Sequence, residues 1–111
     1  MTTVLASEFP DSKGCYGDKL DDGGYYYAEL STNPDAPSNW DYSALGNLKK
    51  HHKLNITYNG KTLTAIKADK GRGKKETKGK FKGELRKIDL HKNLARALGF
   101  NGLDHVQIED A

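Results

Sequence analysis

Residues 54–65 read LNITYNGKTLTA, two alternating runs on either side of Asn59 and Gly60. An Asn-Gly pair is what a two-residue type I′ turn prefers, because both central residues of that turn take positive φ. The stretch therefore predicts a β-hairpin with Tyr58 opposite Lys61. In that register Leu54, Ile56, Tyr58, Leu63 and Ala65 share one face and Thr57, Thr62 and Thr64 share the other. One apolar and one hydroxyl-bearing face is the pattern of an antiparallel pair with its apolar side in a core and the other side wet.

Working outward from the hairpin, residues 2–9 (TTVLASEF) suit a first strand before a turn region at 10–17. Residues 25–30 (YYYAEL) suit a second strand, and 33–39, with Pro34 and Pro37, a loop. Residues 38–46 read as a short helical turn. Beyond the hairpin, 86–88 read as a short strand and 106–108 as a last one. Between them apolar residues at 90, 94, 97 and 98 have helical spacing, with Gly99 as the left-handed cap that ends the helix. Residues 70–83 (KGRGKKETKGKFKG) hold four glycines and almost no apolar side chain, which predicts a flexible basic loop.

The 111 residues have room for one core, so a single domain over 1–111 is expected. Twelve glycines and six tyrosines point to a turn-rich, mainly β protein. No apolar run reaches the roughly 18 residues of a membrane span, and residues 1–10 lack the basic start and apolar stretch of a signal peptide. A single cysteine, Cys15, excludes an internal disulfide and a cysteine-rich zinc site. The net charge of +3 conceals an asymmetry. Residues 1–48 carry two lysines against eight acids, a net of −6, while residues 67–87 carry ten cations against three acids, a net of +7.

Asp69 and Asp89 stand at element ends on either side of the basic loop, where a carboxylate can act as general acid or base or accept hydrogen bonds from sugar hydroxyls. The competing structural roles are a turn residue for Asp69 and a helix cap for Asp89. Arg72, Lys74, Lys75, Lys78 and Lys80 form a candidate polyanion-binding set, although no aromatics are interleaved to stack on bases. Tyr16, Tyr26 and Trp40 are candidate glycan-contacting rings, with Asp18 and His91 as polar companions. Among three consecutive tyrosines in a strand, alternation sends at least one inward and one outward. The four histidines lack the spacing of a zinc motif, so no metal and no cofactor are expected. Cys15 has no base near it in sequence to make it a nucleophile.

These residues resemble the double-psi β-barrel domain of expansins, barwin-like proteins and the rare lipoprotein A family. Gly14-Cys15-Tyr16-Gly17-Asp18 followed by Ala28-Glu29-Leu30-Ser31-Thr32 is similar to the opening expansin pattern, a Cys-Gly-Tyr-Gly stretch leading to an Ala-Ala-Leu-Ser strand. Asn59-Gly60-Lys61 looks like the family hairpin, and Ala68-Asp69-Lys70-Gly71 resembles the Asn-Asp-Arg-Gly motif. Ile88-Asp89-Leu90-His91 with residues 95–100 (ARALGF) resembles the Ile-Asp-Leu-Ser segment and its helix. The sequence departs from the lytic members in having Leu30 where they carry a histidine, and Lys70-Gly71-Arg72 where they have Arg-Gly-Pro.

The resemblance implies a single six-stranded double-psi β-barrel with one short helix near the C-terminus. It implies that Asp69 and Asp89 face one groove, Asp89 matching the residue expansins need for wall loosening and Asp69 the catalytic position of the lytic members. The expected function is an expansin-like or rare lipoprotein A-like domain that binds, and in an enzymatic version cleaves as a lytic transglycosylase does, peptidoglycan or a related wall glycan. The expected place is extracellular, at the cell wall, or on a virion. Two other classes compete: a non-catalytic protein-binding module, such as a protease inhibitor or a phage tail component, and a nucleic-acid binder acting through the lysine-rich loop. An anionic wall polymer is a further partner the basic loop suits; a membrane is not.

Overall fold

The computed structural model describes residues 1–32 and 41–111. Six strands and one helix follow in the order β1 (Thr2–Phe9), β2 (Tyr26–Leu30), β3 (Lys53–Tyr58), β4 (Lys61–Gly71), β5 (Arg86–His91), α1 (Lys92–Leu98) and β6 (Leu103–Asp110). The hairpin that anchors the sequence reading forms as expected. Tyr58 pairs with Lys61, Leu54 with Ala65, and the turn residues Asn59 and Gly60 take φ of 50° and 80°. Leu54, Ile56 and Ala65 are buried in the core, with Tyr58 and Leu63 packed against it.

The strands close into a barrel in the order β1-β5-β2-β4-β3-β6. The pairs β1/β5 and β2/β4 are parallel, and β2/β5, β3/β4, β3/β6 and β1/β6 are antiparallel. Exchanging β1 with β4, β2 with β5 and β3 with β6 returns the same neighbours and the same parallel pairs. The barrel thus has an internal two-fold relation between its halves, with two interlocked parallel pairs, and this is the double-psi topology. Closure leaves no unpaired sheet edge.

The two-fold relation extends to the connections. The β1–β2 segment folds back on itself through a Lys13–Lys19 bridge and the β4–β5 segment through a Lys75–Leu85 bridge. Each then presses a glycine onto backbone. A Cβ on Gly14 would lie 1.9 Å from the Ala68 carbonyl oxygen, and one on Gly73 2.1 Å from that of Ser31.

Several expected boundaries move, each for a local reason. The helix begins at Lys92 rather than at residue 90, because Leu90 and His91 continue β5 in register with Glu8 and Phe9 of β1. The last strand grows from 106–108 to Leu103–Asp110 by pairing with both β1 and β3. The basic stretch is more structured than its composition predicts. Its first residues, up to Gly71, belong to β4, and its remainder is a hairpin pinned by buried Phe81, by the Arg86–Glu76 ion pair at 2.8 Å and by the His105–Glu84 pair at 2.8 Å. The described part of the expected helical turn at 38–46 is a non-helical turn at 44–45. There Glu29 accepts the amides of Leu45, Asn47 and Leu48 at 2.8–2.9 Å. The expected loop at 33–39 lies outside the described residues.

Candidate functional site

Strand alternation decides which way the two candidate carboxylates point. Ala6, Tyr27, Ile88 and Leu90 lie in the core cluster, so Ser7, Ala28 and Asp89, which alternate with them, face out of the barrel. The registers join these outward positions into one line. Ser7 pairs with Asp89, Asp89 with Ala28, and Ala28 with Asp69, across β1, β5, β2 and β4. Asp69 and Asp89 therefore occupy one face, flanking Ala28, at backbones two strand spacings or about 10 Å apart. Ala28 between them is buried, at 3% exposure, while both carboxylates are part-exposed. In the two-fold relation Asp89 corresponds to Ala28 and Asp69 to Ser7.

The two carboxylates live in different surroundings. Asp89 accepts the hydroxyl of Ser7 on Oδ1. Burial pushes its carboxyl above the usual range; Ser7 and Arg86 oppose that shift, and Asp11 and Asp69 add to it. Asp69 Oδ1 accepts two backbone amides, from Lys70 at 2.8 Å and Cys15 at 3.1 Å. The close approach of Gly14 to Ala68 is what brings the Cys15 amide into reach. The Cys15 thiol is held up by burial first, then by its hydrogen bond to Asp69, which is the opposite of an activated nucleophile.

One step along the strands, on the side where β2 begins and β5 ends, lies an aromatic line. Phe9 pairs with His91, with ring centroids 5.5 Å apart, and Tyr26 meets His91 from the other side at 6.4 Å. His91 itself is fully buried. It caps α1 by accepting the Asn93 amide on Nδ1, and its Nε2–H donates to the Asp11 carbonyl at 2.8 Å. The cap role that the sequence offered to Asp89 thus falls to His91, whose ring is not presented to a glycan. Tyr26 is half-buried, and its hydroxyl donates to Asp22 at 2.7 Å, which raises its pKa to about 12.

Tyr16 and Asp18 sit on the Asp69 side. The Tyr16 ring carries Lys50 and Lys70 at 5.7 and 5.8 Å, and Lys70 also lies over Tyr42 at 5.3 Å. Asp18 holds His51 at 2.9 Å, and His51 meets Tyr16 edge-on. Trp40 lies outside the described residues.

On the other side of the carboxylate line, where β4 ends and β5 begins, the second hairpin borders an open cleft of about 850 Å³. It is lined by Arg72, Gly73, Lys74, Lys75, Glu76, Thr77, Lys82, Gly83 and Arg86. Three of the five expected polyanion-binding residues, Arg72, Lys74 and Lys75, are brought together there. Lys78 and Lys80 are not among the lining residues, and Lys80 lies over the Phe81 ring at 5.5 Å.

Sequence reasoning missed Ser7, Lys82 and Arg86. Nothing marks Ser7 in the sequence, since its role comes from a parallel pairing across 82 positions. Arg86 had a readable signal: it opens a strand three residues before Asp89, with Glu76 within hairpin reach.

No family model and no curated protein matches the chain. Among solved structures, the crystal structure of the computationally designed msDPBB_sym2 protein is similar, at 16% sequence identity and a TM-score of 0.49, covering 99% of this chain and 100% of that one. The class of protein is fixed by strand order and pairing: a double-psi β-barrel with two carboxylates on one outward line.

Proposed function

We propose that this barrel binds a cell-wall glycan, peptidoglycan or a close relative, along the line from Ser7 to Asp69, in the manner of the expansin and rare lipoprotein A domains its motifs resemble. The observation that carries the reading is the register itself. Asp89 and Asp69, both part-exposed, flank the buried Ala28, so a sugar laid across this face meets a carboxyl group on each side. The half-exposed rings of Phe9 and Tyr26 beside this line offer apolar surface to a pyranose face.

Asp89 also supports a cleaving version. Burial makes the Asp89 carboxyl hold its proton more tightly than a free carboxyl does, the direction a general acid for a leaving glycosidic oxygen needs, and Ser7 fixes its orientation. In the binding version the same carboxyl groups exchange hydrogen bonds with sugar hydroxyls. Incubation with purified peptidoglycan separates the two. Pelleted protein measures binding, and mass spectrometry of the soluble fraction detects fragments with anhydro-sugar ends. The cleaving version predicts such fragments from the native chain and none from Asp89→Ala or Asp69→Ala. The binding version predicts pelleting alone, weakened in both variants. A chain that neither pellets nor releases fragments overturns the proposal.

A further inference from the structure

We infer that the basic cleft inside the β4–β5 hairpin is a binding site for a single phosphodiester strand, of the kind found in the poly(glycerol phosphate) polymers of cell walls. The choice of a wall polymer rests on the reading above; the anion site itself rests on the cleft. Five cationic side chains line it against one acid, Glu76, among the described residues. That acid is already committed to the Arg86 guanidinium, whose Nε donates to it at 2.8 Å, so it orients a cation rather than repelling a ligand. Arginine forks match phosphate oxygens in a fixed geometry, and lysines supply mobile charge along a chain.

Shape narrows the ligand further. The volume of about 850 Å³ is in the range of ligand clefts, and the cleft is open to solvent along one side. Duplex DNA is read by an element that protrudes into a groove, and a concave hairpin interior does not protrude. Single-stranded nucleic acid is held by rings that stack on bases, and no aromatic residue is among those that line the cleft. A flexible strand of phosphates without bases is the polyanion that fits both conditions.

The cleft also adjoins the carboxylate line. Arg86 lines the cleft and acts electrostatically on Asp89, and Gly71, which precedes Arg72, has its Cβ direction 3.9 Å from Asp89 Oδ2. A polymer in the cleft therefore lies next to a glycan held between Asp89 and Asp69, as wall polymers joined to peptidoglycan do chemically.

The test measures binding of the full chain to three probes over a salt series: poly(glycerol phosphate), peptidoglycan stripped of phosphate polymers, and duplex DNA. The triple variant Lys74→Gln, Lys75→Gln, Lys82→Gln, all exposed positions, serves as the comparison. The expected result is poly(glycerol phosphate) binding that weakens with salt. In the triple variant it falls about tenfold or more, with a log–log slope smaller by about 2 to 3. Stripped peptidoglycan should bind both forms equally. Absence of poly(glycerol phosphate) binding, or binding unchanged in the variant, overturns the inference even when stripped peptidoglycan still binds. Stripped peptidoglycan failing to bind, with the phosphate polymer retained, overturns the glycan reading instead. Equal or tighter binding to DNA at equal phosphate concentration assigns the cleft to nucleic acid and also overturns the inference.

Discussion

Lys67 reaches across from β4 to place its Nζ 2.8 Å from Glu29 Oε1 on β2, where neither side chain is more than 1% exposed. Such a pair is worth keeping only when its remaining polar atoms are satisfied. Here Lys67 also donates to the Leu48 carbonyl at 2.6 Å, and both Glu29 oxygens are engaged by three amides of the 45–48 turn. The pair thus fastens the β2–β3 connection in the half of the barrel where no described helix does so.

Lys67→Met should therefore destabilise the fold by about 3–5 kcal/mol, since it leaves a buried carboxylate without its cation. Glu29→Gln added to Lys67→Met should recover part of that loss, because the amide keeps an acceptor for the turn without an unpaired charge. Urea unfolding of the two single variants and the double variant measures the coupling. Simple additivity would mean the pair does not act as a unit.

Asp89 makes stability depend on pH in a defined direction. Its carboxyl pKa is raised in the folded protein, so the native state binds its proton more tightly than the unfolded chain does. The resulting stability is complete below the unfolded value of about 3.9 and is lost as pH rises through the folded value. Asp89→Asn should flatten that part of the profile and gain on the native chain at neutral pH. A thermal-melting series from pH 3 to 7 on both proteins is the check, and parallel curves would contradict it.

Gly14→Ala tests the contact that brings the Cys15 amide to Asp69. The new methyl would sit 1.9 Å from a backbone oxygen that no side-chain rotation can move. A loss of about 1–3 kcal/mol is expected, as for other overpacked sites. Chemical-shift changes should reach Cys15 and Asp69 through the displaced loop.

The β4–β5 hairpin depends on Phe81, which is buried and meets His105 edge-on at 5.0 Å. Phe81→Ala should loosen residues 74–86 without unfolding the barrel. Amide hydrogen exchange should show Glu76, Gly83 and Arg86, whose amides bridge the hairpin, losing about tenfold or more in protection while β3 and β6 keep theirs.

The sequence made the local features legible and left the long-range ones hidden. The Asn59–Gly60 hairpin and the Gly99 helix end follow from backbone preferences of the residues themselves, and both stand where they were expected. The motif resemblance carried the barrel topology, which periodicity alone does not contain. Parallel pairing is what defeated local reading. Nothing near residue 90 says that Leu90 and His91 extend a strand, because their partners are Glu8 and Phe9. The basic hairpin was hidden for a similar reason. Its composition is that of a solvated loop, and it is held by Glu76 through Arg86 at its own far end and by Phe81 and Glu84 through His105 of β6. For the site, the shared face of Asp69 and Asp89 came from the resemblance, while Ser7 and the capping role of His91 came only from three-dimensional pairing.

The central claim is that a glycan lies on the line from Ser7 to Asp69. Amide chemical shifts of the full chain, followed during titration with a soluble peptidoglycan glycan strand, test it most directly. The account predicts saturable shifts concentrated at Ser7, Ala28, Asp69, Lys70 and Asp89, with smaller ones at Phe9 and Tyr26, and their loss in Asp69→Ala. Shifts confined to another face of the barrel, or none at all, would contradict it.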